Sequence, residues 1–302
     1  MGRGAEGGVT KERRFVLEAK ALDVIERVVG RLPRSLVLAL GRGLGRLWSD
    51  LDARHVRIAA DNLRRAFPSW DEPRVLRTAR GVYEHFGAML LDLLWMGTRP
   101  AAEALALVDV EGAGHVEAAM SEGRGVLMIT GHFGNWELAG LFHGARFGAM
   151  GVVARALDNP ALDAKLVSLR VRGGNSVIYK QRALQQVLKL IRDGKSIALV
   201  IDQNVQQGGV FVDFFGRPAA SAPVASALTL KTGAPIVPAF CELLPSGRYR
   251  MSYGPAIRTR PSGDRDADIA RTTQETAAVI ESAVRERPEQ WLWLHRRWKT
   301  QP

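Results

Sequence analysis

Short apolar runs alternate with longer amphipathic segments along this 302-residue chain. The clearest run, residues 126–129, contains β-branched side chains and stops at Thr130-Gly131, which is typical of a buried strand that ends in a turn. Apolar residues then recur at helical spacing over residues 136–147, just after Asn135, a residue type that caps helices. This pattern predicts a strand, a turn and a helix at the carboxyl edge of a sheet, where open α/β folds usually bind their ligands.

The same alternation extends over most of the chain. Further strands are predicted at residues 108–111, 150–154, 176–179, 196–201, 236–240 and 248–253. Helices are predicted at residues 15–29, 36–48, 55–67, 72–95, 114–122, 159–172, 182–193, 223–232 and 266–285. We expect the first of these strands and the antiparallel last one to lie at edges. Strands that alternate with helices indicate an α/β fold with a mixed, mostly parallel central sheet flanked by helices.

The N-terminal part of the chain has a different pattern. Residues 1–9 are rich in glycine and are predicted to be disordered. Residues 10–68 are predicted to form amphipathic helices, and residues 69–302 to form the α/β domain. Arginines flank the first two helices, which lie either in the headgroup layer of a membrane or as a hairpin packed on the main domain. Their apolar stretches are far shorter than the roughly 20 residues that cross a bilayer, so we expect no transmembrane span.

Composition narrows the possible partners. The net charge of +11 and the pI of about 10.4 indicate either a solvated, arginine-rich surface or attraction to an anionic partner, nucleic acid or lipid. Nucleic acid is the less favoured partner, because the sequence has no zinc-ligand spacing and no RNA-binding aromatic signature. Cys241, the single cysteine, follows an apolar run without a basic neighbour, which predicts a buried, reduced thiol.

His132 and Glu137 are the candidate catalytic residues. Five steps along one helix would leave them about 140° apart around its axis, so their side chains meet only if the chain bends between them. Gly134 suits such a bend because it lacks a Cβ. With Asn135 as N-cap, Glu137 falls in the first helical turn, where the macrodipole favours a carboxylate. From there Glu137 is predicted to hold one imidazole nitrogen of His132, while the other nitrogen takes a proton.

Several motifs together resemble a known family. Residues 131–137 are similar to the H-x-x-x-x-D/E signature of glycerolipid-type acyltransferases and, more narrowly, to the bacterial lipid A biosynthesis (late) acyltransferase family. The other motifs follow in family order: Asn62-Leu63, Phe67-Pro68, Asp202-Gln203 and residues 214–219, 232–238 and 288–298. The resemblance covers most of the chain. It implies a glycerolipid acyltransferase-like fold and the transfer of a fatty acyl chain from a thioester to a lipid hydroxyl.

Acyl transfer to a hydroxyl needs a base, hydrogen-bond donors for the oxyanion and a fixed position for both substrates. His132 with Glu137 supplies the base in one direct step, because the sequence contains no G-x-S-x-G nucleophile elbow. The backbone N–H groups of Gly134 and Asn135 are the candidate oxyanion donors. We expect no metal site, and no cofactor besides the acyl thioester co-substrate.

Four further residues are candidates for substrate binding. The resemblance implies that Arg170 contacts an acidic headgroup or phosphate, which its planar fork of donors suits. It also implies that Asp202 and Gln203 position the acceptor or brace a neighbouring cation, whereas an Asx-type turn cap is the structural alternative. Arg217 lies in a predicted tight turn at the rim and is a candidate for contact with substrate.

Two aromatic groups leave alternatives open. Phe214 and Phe215 either pack in the core or line an acyl channel. Trp291, Trp293 and Trp298 are either core anchors or interfacial aromatics, since basic residues accompany them. Neither group is expected to take part in the chemistry.

The leading hypothesis is an acyltransferase bound peripherally to the cytoplasmic face of the cell inner membrane. It takes an acyl chain from acyl carrier protein or coenzyme A and transfers it to a lipid A precursor or a related glycolipid. A basic surface suits both an acidic carrier protein and an anionic lipid. A lysophospholipid or a mannosylated phosphoinositide is the alternative acceptor. The alternative of another class is a non-catalytic protein that binds lipid or nucleic acid through its charge.

Overall fold

The computed structural model describes the backbone of residues 3–179 and 183–302. Within them a seven-stranded sheet has the order β1-β9-β8-β2-β5-β3-β4. Its strands are β1 Val108–Glu111, β2 Val126–Thr130, β3 Gly151–Ala154, β4 Ser176–Tyr179, β5 Ser196–Val200, β8 Ile236–Leu243 and β9 Tyr249–Tyr253. Strands β8, β2, β5, β3 and β4 are mutually parallel, whereas β9 runs antiparallel to β8. The predicted mixed, mostly parallel sheet is therefore confirmed.

Helices cover both faces of the sheet. They are α1 Arg3–Val29, α2 Arg34–Leu51, α3 Ala53–Ala66, α4 Glu72–Gly97, α5 Ala101–Leu105, α6 Ala113–Ser121, α7 Trp136–Phe147, α8 Pro160–Val171, α9 Ala183–Arg192, α10 Val224–Thr232 and α11 Arg265–Glu286. A short 3-10 helix, Pro288–Gln290, precedes the C-terminal tail. Alternate residues of a strand point to opposite faces, so Leu127 and Ile129 join one core cluster while Val126 and Met128 join the other. The central strand β2 is thus buried on both sides.

The N-terminal helices pack on the main domain. Helix α2 lies so close to α4 that a Cβ at Gly41 would stand 2.6 Å from Ala88 Cα, and one at Gly45 would collide with the Tyr83 carbonyl oxygen. The opposite face of α2 exposes a row of large apolar side chains: Leu36, Leu40, Leu44, Leu47, Trp48 and Leu51. One face of α2 thus packs on α4, and the other face is exposed. No helix of the described residues combines the length and the apolarity that crossing a membrane requires.

Four sequence predictions need correction. Helix α1 begins at Arg3, so residues 3–9 are helical rather than disordered, because the good helix formers that follow the glycines extend the helix towards the N-terminus. Met1 and Gly2 lie outside the described residues. Arg182, the residue at which the sequence predicts the start of α9, also lies outside them. Strand β9 is antiparallel as expected, but β1 covers its outer side and forms the edge. Helix α5 was not predicted, nor was the hairpin of β6 Val210–Asp213 and β7 Pro218–Ser221. Their segments are too short to show a clear periodicity.

The close packing of α2 on α4 predicts a position-specific effect of side-chain size. We expect Gly45→Val to lower the free energy of unfolding by at least about 2 kcal/mol, because the added carbons meet backbone that cannot yield. Gly43→Ala is the matched control on the same helix, since a Cβ there meets nothing within 4 Å. The control should raise stability by about 0.5–1 kcal/mol through helix propensity. Urea unfolding measures both, and equal stability of the two variants would contradict this packing.

Candidate active site

The central pair of strands places His132 beside Asp202. In the parallel register of β2 and β5, Thr130 lies opposite Val200. His132 and Asp202 each follow two positions later, so they are also opposite one another. His132 Nδ1 lies 2.7 Å from Asp202 Oδ1, and the backbone N–H of His132 donates to Asp202 Oδ2 at 2.7 Å. Both oxygens of one carboxylate therefore hold His132 at the carboxyl edge of the sheet, Oδ1 through the imidazole and Oδ2 through the backbone N–H.

Asp202 is enclosed by groups that favour its charged form. Its side chain is fully buried, and the indole N–H of Trp291 donates to Oδ2 at 2.7 Å. Burial alone would raise the pKa of Asp202, but the charge and hydrogen bonds of His132 outweigh burial and lower this pKa to about 2. An ionised carboxylate only accepts hydrogen bonds, so the proton of a neutral His132 imidazole is on Nδ1 and the lone pair is on Nε2.

The turn between strand and helix follows the predicted geometry. Gly134 has a φ of 57°, and a Cβ there would collide with the Cys241 carbonyl oxygen, so glycine is required. Asn135 caps α7 by accepting the backbone N–H of Leu138 at 3.0 Å. Glu137 lies in the first helical turn. The bend, the cap and the position of the acid are thus all confirmed.

Glu137 has a different partner from the one predicted. Arg170 donates from Nε to Glu137 Oε2 at 2.8 Å and from Nη2 to Oε1 at 2.5 Å, and the Trp136 indole N–H also donates to Oε1 at 3.1 Å. The carboxylate that holds Nδ1 of His132 is Asp202, so the pairing assigned to Glu137 needs correction. The physical reason is the strand register, which brings Asp202 alongside His132 from 70 residues away.

Arg170 is more buried than a surface arginine. Burial lowers the pKa of its guanidinium, but the bond to Glu137 outweighs burial and raises this pKa overall. Its side chain is 14% exposed and Glu137 is 8% exposed, so the ion pair is well shielded from water. The two charges neutralise each other beside His132. Arg170 thus has a charge partner within the protein, and its predicted contact with a phosphate stays a prediction.

The predicted oxyanion donors are already occupied. The N–H of Gly134 donates to the Gln290 carbonyl at 2.9 Å, and the N–H of Asn135 donates to the Cys241 carbonyl at 2.7 Å. Each backbone N–H carries one hydrogen, so neither group is available to a developing oxyanion. The assignment of Gly134 and Asn135 as oxyanion donors is therefore wrong for this structure. The acceptors lie in the 3-10 helix and in β8, far away in the sequence, so these bonds could not be predicted from the residues around the turn.

A cavity of about 260 Å³ opens beside these groups. Its polar end is lined by His132, Glu137, Arg170 and Gln203. Deeper in, the cavity runs between α7 and the sheet, and its lining is mostly apolar: Met128, Ala139, Leu141, Met150, Val152, Ala198, Ala239 and Met251. A concave, mostly apolar pocket with a few polar groups at one end fits an elongated apolar ligand that has a polar reacting group.

The remaining predicted residues lie outside this cavity lining. The Arg217 guanidinium stands 4.6 Å from the centre of the Trp298 ring, and burial lowers its pKa. Phe214 and Phe215 are buried in the core, which settles their alternatives in favour of packing. Cys241 is free and buried as predicted, and burial raises the pKa of its thiol. Among the described residues, no group of three or more His, Cys, Asp or Glu side chains is arranged to hold a metal ion.

The C-terminal tail is part of the site, which sequence reasoning missed. Trp291 and Trp293 are completely buried, so they are core anchors. The N–H of Leu292 donates to the His132 carbonyl at 3.1 Å, which pairs the tail with the catalytic turn. Asn62 in turn donates from its side chain to the Trp293 carbonyl at 2.9 Å. The sequence signal for this role was the cluster of tryptophans beside Gln290. That cluster did not show which acceptors the indole N–H groups would bond.

Comparison with known proteins identifies the family. The profile of the family described as "Bacterial lipid A biosynthesis acyltransferase" matches residues 21–300. Because this match covers nearly the whole chain, the protein belongs to that family and is an acyltransferase with an acyl donor and a lipid acceptor.

Individual relatives fall into two groups. The chain is 27% identical to the lipid A biosynthesis lauroyltransferase of Escherichia coli K12, over 96% of this chain and 93% of that protein. It is 24% identical to the E. coli K12 lipid A biosynthesis palmitoleoyltransferase, over 90% and 88% respectively. It is also 24% identical to the phosphatidylinositol mannoside acyltransferase of Mycolicibacterium smegmatis, over 96% and 95%.

The depressed pKa of Asp202 predicts an acid-dependent loss of stability. A carboxylate whose folded-state pKa lies near 2 rather than at the usual 3.8 stabilises the fold above that usual value, and this contribution disappears as the pH falls through the folded-state pKa. Between pH 5 and pH 2 we expect the free energy of unfolding of wild type to fall by about 2 kcal/mol more than that of Asp202→Asn. Urea unfolding at a series of pH values measures the difference.

The matched control for this experiment is Asp266→Asn, which removes one highly exposed carboxylate. Its stability should follow the wild-type pH dependence. Parallel curves for wild type and Asp202→Asn would contradict a lowered pKa of Asp202 in the folded protein.

Proposed function

We propose that this acyltransferase moves a fatty acyl chain from an acyl thioester, on acyl carrier protein or coenzyme A, to a hydroxyl of a lipid A precursor or a related glycolipid. The observation that carries the proposal is the His132–Asp202 pair at the polar end of a largely apolar cavity. A fatty acyl chain fits the apolar part, while its thioester carbonyl lies at the imidazole. The thioester is a co-substrate, and the proposal includes no metal and no further cofactor.

The reaction follows from the protonation state of the pair. His132 Nε2 takes the proton of the acceptor hydroxyl as its oxygen attacks the thioester carbonyl carbon. Asp202 stabilises the imidazolium that forms, as the carboxylate of a serine-hydrolase triad does. The tetrahedral intermediate collapses, the carbon–sulfur bond breaks, and the imidazolium returns its proton to the thiolate. The products are an ester and a thiol, and the enzyme returns to its starting state without an acyl-enzyme.

Glu137 and Arg170 form the wall of the cavity mouth in this proposal. Their bidentate pair fixes the first turn of α7 against the last turn of α8, on either side of the opening. Removal of one partner would strand a shielded charge, so the two residues act as a unit. Gln203 is exposed at the same opening and is placed to contact the acceptor.

The exposed apolar row of α2 supports binding to a membrane surface. Leu36, Leu40, Leu44, Leu47 and Leu51 lie at helical spacing on the face that α4 does not cover. Exposed arginines flank them: Arg31, Arg42 and Arg54. An apolar face bordered by cations is the pattern of a helix that lies in an anionic headgroup layer. We place the enzyme on the cytoplasmic face of the inner membrane, where both substrates of the proposed reaction meet.

A second acceptor class has support from the relatives. The similarity to the phosphatidylinositol mannoside acyltransferase of Mycolicibacterium smegmatis covers as much of this chain as the similarity to the lauroyltransferase. Transfer assays with each acceptor, analysed by mass spectrometry of the lipid products, decide between them.

The proposed base predicts a large loss of activity without loss of fold. We expect His132→Ala to lower kcat/KM by about 10²–10⁴-fold, the usual contribution of a general base. The measurement is acyl transfer from acyl carrier protein and from coenzyme A thioesters. His115→Ala is the matched control, because His115 is an exposed histidine on α6. Full activity of a folded His132→Ala enzyme would defeat the mechanism.

The membrane proposal predicts a specific effect of the leucine row. Leu44 and Leu47 are each more than half exposed, so replacing both with aspartate should leave the fold intact. We expect binding to vesicles that contain phosphatidylglycerol to weaken at least about tenfold, because two apolar side chains are lost from the lipid contact. Cosedimentation with the vesicles measures this binding. Leu184→Asp is the control, because Leu184 is a similarly exposed leucine on α9. Unchanged binding of the double variant would show that α2 is not the surface that contacts the membrane.

A further inference from the structure

A buried histidine lies at the deep end of the cavity. His143 is on α7, 6 residues beyond Glu137, which places it about 9 Å further along the helix axis. It lines the same cavity as His132, yet only 2% of its surface is exposed. The proposed reaction has no step for this side chain, because the thioester carbonyl lies at the other end.

One ring nitrogen of His143 has a partner and the other does not. Nδ1 lies 3.4 Å from the Tyr253 hydroxyl, whereas Nε2 is buried without a hydrogen-bond partner among the described residues. Burial lowers the pKa of His143 to about 4, so the ring is neutral at physiological pH. With Tyr253 donating to Nδ1, the proton is on Nε2. A buried N–H donor needs an acceptor, because leaving its hydrogen bond unmade costs free energy.

The surrounding lining offers no acceptor to this N–H. Asn175 is a polar side chain of the same lining, but its Oδ1 accepts the Met150 N–H at 3.1 Å and its Nδ2 donates to the Gly140 carbonyl at 2.9 Å. The other neighbours at this depth are apolar: Met128, Ala139, Met150, Ala239 and Met251. A purely aliphatic acyl chain would pack against these residues but would leave the Nε2–H unpaired.

We propose that His143 is a specificity-determining residue whose Nε2 forms a hydrogen bond with a hydroxyl in the middle of the acyl chain, so that the enzyme selects hydroxylated acyl thioesters. This inference rests on the proposed function, since it concerns the acyl donor of that reaction. The distance between Glu137 and His143 along α7 places the recognised oxygen well away from the thioester carbonyl. A hydroxyl there satisfies the buried donor, whereas a methylene group at the same position does not.

The test compares acyl thioesters of equal length, with and without one hydroxyl that is moved carbon by carbon along the middle of the chain. We expect wild type to prefer one hydroxylated position by about tenfold or more in kcat/KM, the ratio that an unpaired buried donor implies. His143→Phe should abolish the preference, and His143→Gln, which keeps a donor, should retain part of it. Met150→Leu is the matched control, because it changes the shape of the same end without a polar atom and should keep the preference.

Two outcomes overturn the inference. Equal preference in wild type and His143→Phe would do so, and so would the absence of any preference in wild type, which is expected if a water molecule satisfies Nε2. The wild-type scan and the His143→Gln variant keep the test decisive if His143→Phe does not fold.

A binding measurement separates this inference from the proposed function. Calorimetry with free hydroxylated and unsubstituted fatty acids reports the same preference without any transfer. If the preference in binding depends on His143 but no thioester reacts, the proposed function fails and the inference stands. If transfer proceeds without a preference, the inference fails and the proposed function stands.

Discussion

The parallel pairing of β2 with β5 is the constraint on which the rest of the site depends. Because Thr130 and Val200 are opposite one another, the chain leaves the sheet at two adjacent points and brings His132 and Asp202 into contact. A shift of one residue in either strand would turn one of these side chains to the opposite face. Burial of β2 on both faces fixes that register, so the hydrophobic core sets the catalytic geometry.

The C-terminal tail then fixes the orientation of the pair. Its backbone bonds to the turn at His132 and Gly134, and its Trp291 indole holds the second oxygen of Asp202. The Gln290 carbonyl takes the N–H of Gly134, and the Cys241 carbonyl of β8 takes the N–H of Asn135, so neither N–H of the turn is offered to a substrate. The turn therefore serves to aim the imidazole, and charge that develops on the substrate must be stabilised by other groups around the cavity mouth.

Local sequence pattern predicted the elements well and the contacts between elements poorly. The bounds of β1, β4 and α7, the bend at Gly134 and the cap at Asn135 depend on neighbours in the chain, and all were predicted correctly. The partner of His132 was not, because strand order is a property of the whole sheet. Glu137 is only five positions from His132, so proximity along the chain favoured it over a residue 70 positions away. The burial of Trp291 was likewise left open, since tryptophan suits both a core and an interface.

The separation of the two carboxylates has a chemical consequence. Asp202 is fully buried and accepts from His132, whereas Glu137 is neutralised by Arg170 and also accepts a hydrogen bond from Trp136. If Glu137 were an unpaired charge beside the imidazole, it would compete with Asp202 for the proton and would favour the imidazolium before the substrate arrives. In the proposed mechanism, the pairing of Glu137 with Arg170 keeps the imidazole available as a base. The acid of the sequence signature is thus part of an ion pair that shapes the cavity mouth, while the acid from the neighbouring strand controls the proton.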